Sequence, residues 1–157
     1  MKKILIFSDT HGYTNPCIKI IQNTKDLYAV IHAGDCVSDA EDLQYIFPQI
    51  PIYNVRGNND FYSRSPMNKL VTIDKIKIFI THGHEERVKY DLSLSTLKSK
   101  AEKYDADLVV FGHTHIPKTE FHGKMTIINP GSVKFSRTYA VAEIENDFVK
   151  TTILNIV

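Results

Sequence analysis

The sequence predicts an α/β chain that begins with βαβ units and finishes with antiparallel strands. Three observations predict it. Apolar segments too short and too uniform for amphipathic helices recur at Ile4–Phe7, Leu27–Ala33 and Ile50–Val55, as in strands covered on both faces. Helix-patterned stretches lie between them, which implies parallel pairing through right-handed crossovers. After residue 118, pairs of apolar segments joined by short polar turns take over and read as antiparallel hairpins.

Composition narrows the class. A chain of 157 residues suits one domain, residues 1–157, with a proper core. Hydrophobic content of 43% and charged content of 24% are ordinary for a globular protein. A net charge of +1 argues against nucleic-acid binding or membrane steering by bulk charge. No apolar run reaches membrane-spanning length, and Asp9 interrupts the opening apolar segment too early for a signal peptide. Cys17 and Cys36 lack zinc-type spacing and form no disulfide framework, so a cytoplasmic location is expected, with both as small apolar packers.

Taken in order, Ile4–Phe7 is a strand, followed by Ser8-Asp9-Thr10-His11-Gly12. Asn15 can cap a helix with Pro16 at its first position, and Ile18 and Ile21 continue its apolar face to about Asp26. The strand Leu27–Ala33 runs into Gly34-Asp35. Ala40, Leu43, Ile46 and Phe47 form one helical face within 38–47, and Pro48 stops it. Ile50–Val55 then leads into Arg56-Gly57-Asn58-Asn59-Asp60. Leu70–Ile73 and Ile76–Ile80 make a hairpin around Asp74-Lys75, ending in Thr81-His82-Gly83-His84. A helix is predicted over Tyr90–Tyr104, with Leu94, Leu97 and Ala101 on its buried face. Leu108–Phe111 is a strand that ends in Gly112-His113-Thr114-His115. Residues 119–121 and 125–128, then 137–144 and 148–156, complete the antiparallel part.

Asp9, His11, Asp35, Asn58, His82, His113 and His115 all follow predicted strands. In an open α/β sheet such ends line a single crevice where ligands bind. With His84, five of the seven histidines fall in these loops, which a chance scatter would not produce. Imidazole nitrogens and carboxylate oxygens suit a hard or borderline divalent ion. Seven candidates exceed the need of one catalytic ion, which keeps open positions, so two ions sharing a carboxylate fit the count better. His32 lies inside a strand and reads as a hydrogen-bonded structural residue, and His122 as an exposed turn residue. Arg56, Arg64 and Arg87 read as surface charges, and His84 as either a histidine that faces the substrate or supports a ligand, or a solvated one. Phe61-Tyr62 either lines a cleft or covers the core.

Asp9-Thr10-His11, Gly34-Asp35, Gly57-Asn58-Asn59-Asp60, Thr81-His82-Gly83-His84 and Gly112-His113-Thr114-His115, in that order and spacing, resemble the calcineurin-like metallophosphoesterases. Asn129-Pro130-Gly131-Ser132 narrows the likeness to the small prokaryotic phosphodiesterases of that superfamily. The resemblance implies a four-layer α/β/β/α sandwich of two mixed sheets flanked by helices. It implies that Asp9, His11 and His115 bind one divalent ion, that Asn58, His82 and His113 bind another, and that Asp35 bridges them. Asp35, Asn58 and His82 are thereby also assigned to catalysis, a hydrolysis of phosphodiesters by a bridging hydroxide. Mn²⁺ is the expected ion, and Fe²⁺, Zn²⁺, Co²⁺ or Ni²⁺ also suit such ligands. The expected partner is a small phosphodiester, with neither nucleic acid nor membrane, and self-association is compatible with the resemblance.

One position departs from the family pattern. Many members have histidine after the asparagine ligand, where this chain has Asn59, whose amide donates hydrogen bonds but transfers no proton. Phosphodiesters, or activated esters with stable leaving groups, are therefore expected over alkyl monoesters. Backbone carbonyls, Asp39 and Asp60 are the candidates to orient the ligand imidazoles. Asn129-Pro130-Gly131 reads as a turn beneath the site. The alternative function is a protein-interaction scaffold of the same fold, as in the eukaryotic retromer, whose member has replacements at several ligand positions. Here each ligand position holds a competent residue, which favours an enzyme.

Overall fold

Side chains of the first strand, β1 (Lys2–Phe7), alternate between two cores. Ile4 and Ile6 point to one face and Leu5 and Phe7 to the other, and all four are buried. The computed structural model describes residues 1–157. The remaining elements are α1 (Asn15–Asn23), β2 (Leu27–His32), α2 (Val37–Ile46), β3 (Ile52–Asn54), β4 (Asn68–Ile73), β5 (Ile76–Thr81), α3 (Ser95–Lys103), β6 (Leu108–Val110), β7 (Lys118–His122), β8 (Met125–Asn129), β9 (Thr138–Glu145) and β10 (Phe148–Asn155).

They build two five-stranded mixed sheets, ordered β10-β9-β1-β2-β3 and β4-β5-β6-β8-β7. The alternation seen in β1 sorts the chain into four layers. Ile4, Ile6, Ala29 and Ile31 of the first sheet meet Ile78, Ile80, Leu108 and Val110 of the second in the central core. Leu5, Phe7 and Val30 face outward onto Cys17 and Ile21 of α1 and Leu43 of α2. Phe79, Val109 and Ile127 face outward onto Leu97 and Ala101 of α3. The four-layer α/β/β/α arrangement is the one expected.

Three details differ from the sequence reading. Thr14 rather than Asn15 occupies the N-cap position of α1, without a side-chain capping bond, and Pro16 lies in the first turn; a shift of one residue is ordinary at helix ends. α3 begins at Ser95, not near Tyr90. Asp91 explains this: its carboxylate accepts the backbone N–H groups of Ser93 and Ser95 at 3.1 and 3.0 Å, and Leu94 takes a left-handed φ of 59°. Such local bonds compete with an earlier helical turn. Finally, β8 is antiparallel to β7 but parallel to β6, so the last part of the chain is not wholly antiparallel.

β1, β2 and β3 run parallel in one sheet, and β5, β6 and β8 in the other. Their carboxyl ends meet on one side of the molecule. Asp9 after β1 reaches His115 after β6, and Asp35 after β2 reaches His82 after β5.

Candidate metal centre

Two carboxylates form the middle of the site, each set by neighbours close in sequence or across the sheets. Asp9 Oδ2 accepts from Ser8 Oγ at 2.5 Å and from His113 N at 3.1 Å, which turns Oδ1 towards the imidazoles. Asp35 Oδ1 accepts from Asn59 N at 3.1 Å, and Oδ2 accepts from Asn59 Nδ2 at 2.8 Å. Glycine makes both approaches feasible. A Cβ on Gly57 would lie 2.0 Å from Asp35 Oδ1, and one on Gly112 would lie 2.1 Å from Ser8 Oγ and 2.7 Å from Asp9 Oδ2.

The imidazoles converge on these oxygens. His115 Nε2 is 3.1 Å from Asp9 Oδ1. His11 Nε2 is 3.8 Å from Asp9 Oδ1 and 4.0 Å from Asp35 Oδ2. His82 Nε2 is 3.8 Å from Asp9 Oδ1, 3.5 Å from Asp35 Oδ2 and 3.1 Å from Asn58 Oδ1. The His113 ring centre lies 5.0 Å from that of His82. All seven residues singled out in the sequence thus surround one small volume. Two compact ligand groups stand out, Asp9-His11-His115 and Asp9-Asp35-His82; Asp9 belongs to both, and Asp35 Oδ2 also lies 4.0 Å from His11 Nε2.

Backbone geometry marks the same residues. Asp9, His11, Asp35, His113 and His115 have φ of 52°, 44°, 46°, 69° and 62°, in the left-handed region that non-glycine residues seldom occupy. Five of seven candidates sharing it places backbone strain where the ligand atoms converge, as is usual at functional sites.

The donor set fits cations. His11 Nε2 is buried without a hydrogen-bond partner, and its nearest acidic oxygens lie beyond bonding distance. A cation held by these groups would give His11 Nε2 the partner it lacks. His82 Nδ1–H donates to the Ala33 carbonyl at 2.6 Å, so in the neutral ring Nε2 carries a lone pair. That lone pair faces the oxygens of Asn58, Asp35 and Asp9, an arrangement that calls for a second proton or a metal. Burial works against a charged His82, yet Asp35 and Asp9 outweigh it and raise its pKa. Burial opposes charge on Asp35 too, but His82 and Asn59 hold its pKa well below the usual carboxylate range. His113 is pushed down to about 4 by burial and by His82, so its ring stays neutral and able to ligate.

The expected orienting roles of Asp39 and Asp60 are corrected. Neither bonds a candidate ligand imidazole; the Ala33 carbonyl does, for His82. Asp39 instead accepts from Thr10 Oγ1 at 2.6 Å and Gly12 N at 2.7 Å, and Thr10 Oγ1 also lies 2.9 Å from Nε2 of the buried His32. Asp60 accepts from the N–H groups of Asp35, Val37 and Gly57 at 3.1, 2.9 and 2.7 Å. These carboxylates fix the loops that carry the ligands. Asn129 and Ser132 likewise brace the site from beneath, with Ser132 Oγ donating to the Asp9 carbonyl at 2.8 Å and Asn129 Nδ2 to the Gly112 carbonyl at 3.0 Å.

Sequence reasoning missed Ser8, the grip of Asn59 on Asp35, and Phe135. The Phe135 ring stacks on His115 at 4.9 Å and meets His11 edge-on at 5.4 Å. Adjacency could have suggested Ser8 and Asn59; no local signal points to Phe135. A cavity of about 580 Å³ lies between α1 and the chain end, lined by Tyr13, Lys19, Arg137 and Tyr139, and contains none of the seven candidates.

The sequence model of the calcineurin-like phosphoesterase superfamily domain matches residues 1–147. The chain belongs to that superfamily. It is 33% identical over 151 residues to the probable metallophosphoesterase YsnB of Bacillus subtilis, covering 92% of this chain and 85% of that one. It is 32% identical over 145 residues to the phosphodiesterase MJ0936 of Methanocaldococcus jannaschii, covering 82% of each. A predicted phosphoesterase from Streptococcus pneumoniae superposes with a TM-score of 0.82 at 28% identity, over 98% of this chain and 88% of that one. Zinc-bound Vps29 of Entamoeba histolytica, with a TM-score of 0.76 at 20% identity over 99% of each chain, shares the fold alone. This superfamily member is a phosphoric ester hydrolase by family. No helix in it is long and apolar enough to cross a membrane.

Proposed function

We propose that this superfamily member is a phosphodiesterase that uses two divalent ions. Asp9, His11 and His115 hold one, and Asn58, His82 and His113 hold the other, with Asp35 shared. The observation that carries this reading is the buried His11 Nε2, unpartnered and facing one oxygen of each carboxylate. When bound, a pair of such ions supplies a nucleophile at neutral pH and stabilises charge on the phosphoryl oxygens. Nitrogen and oxygen ligands suit Mn²⁺, Fe²⁺, Zn²⁺, Co²⁺ or Ni²⁺, and availability rather than raw affinity decides among them, with Mn²⁺ the ion proposed here. Two free cysteines support a reducing, cytoplasmic setting.

The chain's own groups explain why a diester is preferred. Both hydrogen bonds of Asn59 go to Asp35, so the residue that many relatives replace with a histidine is spent on positioning the shared carboxylate. It has no proton to give a departing oxygen. A leaving group that is stable as an anion needs none. The likeness to an archaeal phosphodiesterase supports the same choice.

The scaffold reading is favoured by the shared fold of Vps29. Against it stands the complete ligand set with its strained, preorganised geometry. Hydrolysis of bis(p-nitrophenyl) phosphate after chelation, with and without added Mn²⁺, separates the two. Turnover restored by Mn²⁺ is expected; metal binding with no turnover of this or other diesters favours the scaffold.

A further inference from the structure

Beside Asn58 and His84 opens a cavity of about 270 Å³, walled by Arg56, Asn58, Asp60, Phe61, Met67 and His84. Most of its polar groups are already committed. Both Asp60 oxygens take backbone N–H groups, and Asn58 Oδ1 faces His82. Arg56 donates from Nε to Met67 Sδ at 2.8 Å and from Nη1 to the Ser63 carbonyl at 3.2 Å, which fixes its guanidinium. Two flat groups remain without such partners. The Phe61 ring is 78% exposed, and Tyr62 beside it is fully exposed. The His84 ring, 5.5 Å from that of His82, has a buried Nδ1 with no hydrogen-bond partner.

A lone exposed phenylalanine is common on any surface. This one borders a recess that also contains Asn58, so a ligand held at the metal centre can cover it. Aromatic faces and fixed guanidinium planes both stack on planar rings, whatever their edge chemistry. We propose that this cavity receives one ester arm of the substrate and selects arms bearing a planar aromatic ring, an aryl group or a nucleobase. Phe61 supplies the stacking face, and His84 lines the same recess. The inference rests on the phosphodiesterase reading above and names the substrate class that reading leaves open.

Binding tests it without depending on turnover or on which arm leaves. Dissociation constants of dimethyl phosphate, methyl phenyl phosphate and thymidine 5′-methyl phosphate are measured by competition calorimetry on the Mn²⁺-loaded protein. The two aromatic diesters are expected to bind about tenfold more tightly than dimethyl phosphate, within the range of ring-on-ring stacking. Phe61→Ala and Phe61→Leu should reduce that preference below about twofold, whereas Phe61→Tyr keeps it. The exposed position of Phe61 makes these variants compatible with folding, checked by circular dichroism. Tighter binding of the thymidine diester than of the phenyl one assigns the recess to a nucleobase, and equal binding assigns it to aryl arms. No preference in the unaltered protein, or an undiminished one in Phe61→Ala, overturns the subsite. An intact preference without hydrolysis of bis(p-nitrophenyl) phosphate removes the hydrolase reading only; hydrolysis without preference removes the subsite only.

Discussion

His82 is fully buried and its ring is fixed by the Ala33 carbonyl, whereas His11 and His115, across the carboxylate pair, are 24% and 32% exposed. Phe135 packs against both exposed rings, of which His115 bonds Asp9 Oδ1 and His11 Nε2 has no partner. On the His82 side, Asn58 and Asp35 are also within reach, and Asp35 is gripped twice by Asn59. The His82 side is therefore the more buried and more firmly hydrogen-bonded of the two, and the His11 and His115 side the more exposed. Preorganised ligands lose less on binding, so the His82 side should hold its ion more tightly.

The largest expected effect comes from the carboxylate between the halves. Asp35→Ala should lower diesterase activity by more than about a thousandfold, beyond the loss of a single preorganised donor, because both ions depend on it. A residual rate above a tenth of the original would break the two-sided role assigned to it. Next come single histidines. His82→Ala should abolish the tighter of two Mn²⁺ binding steps in calorimetry, and His115→Ala only the weaker. The reverse order would show that burial does not set affinity here.

Smaller effects should follow from the glycines. Gly57→Ala drives a Cβ into Asp35 Oδ1, so the carboxylate must move. A loss of about 10- to 100-fold in metal affinity, as for changes in the groups that orient ligands, is expected by equilibrium dialysis. Gly112→Ala should act instead through Asp9 and Ser8. The smallest effect is on the metal-free protein in acid. His113, at about 4 in the fold against 6.5 unfolded, and His32 and His84, also lowered, resist protons that the unfolded chain takes up. Their contribution to stability is complete above about 6.5 and is lost as pH falls through the window towards 4. His82 has the opposite sign, since its pKa is raised and its contribution fades as pH rises. Three against one predicts a lower melting temperature at pH 5 than at pH 7; a higher one would show that His82 dominates.

Much of this centre could be read from residue order, because a parallel strand puts whatever follows it at a common edge. That argument found all seven candidates, from Asp9 to His115. It could not find Phe135, which reaches His115 only through the connection from β8 in one sheet to β9 in the other. Nor could it assign the bridge, since the closeness of both Asp9 Oδ1 and Asp35 Oδ2 to His11 and His82 depends on contacts between separate loops. The misplaced start of α3 has a different origin. Asp91 and its two serines offer the backbone local bonds that an apolar periodicity does not register. The parallel pairing of β8 with β6 was equally hidden, as strand order is settled by sheet assembly, not by the strand's own pattern.

Metal content tests the account most directly. Purified protein, stripped by chelation and reloaded with Mn²⁺, is expected to bind about two ions per chain by elemental analysis, and its Asp35→Ala variant close to none. Two ions retained in that variant, or no more than one in the unaltered protein, would contradict a paired centre with Asp35 between its halves.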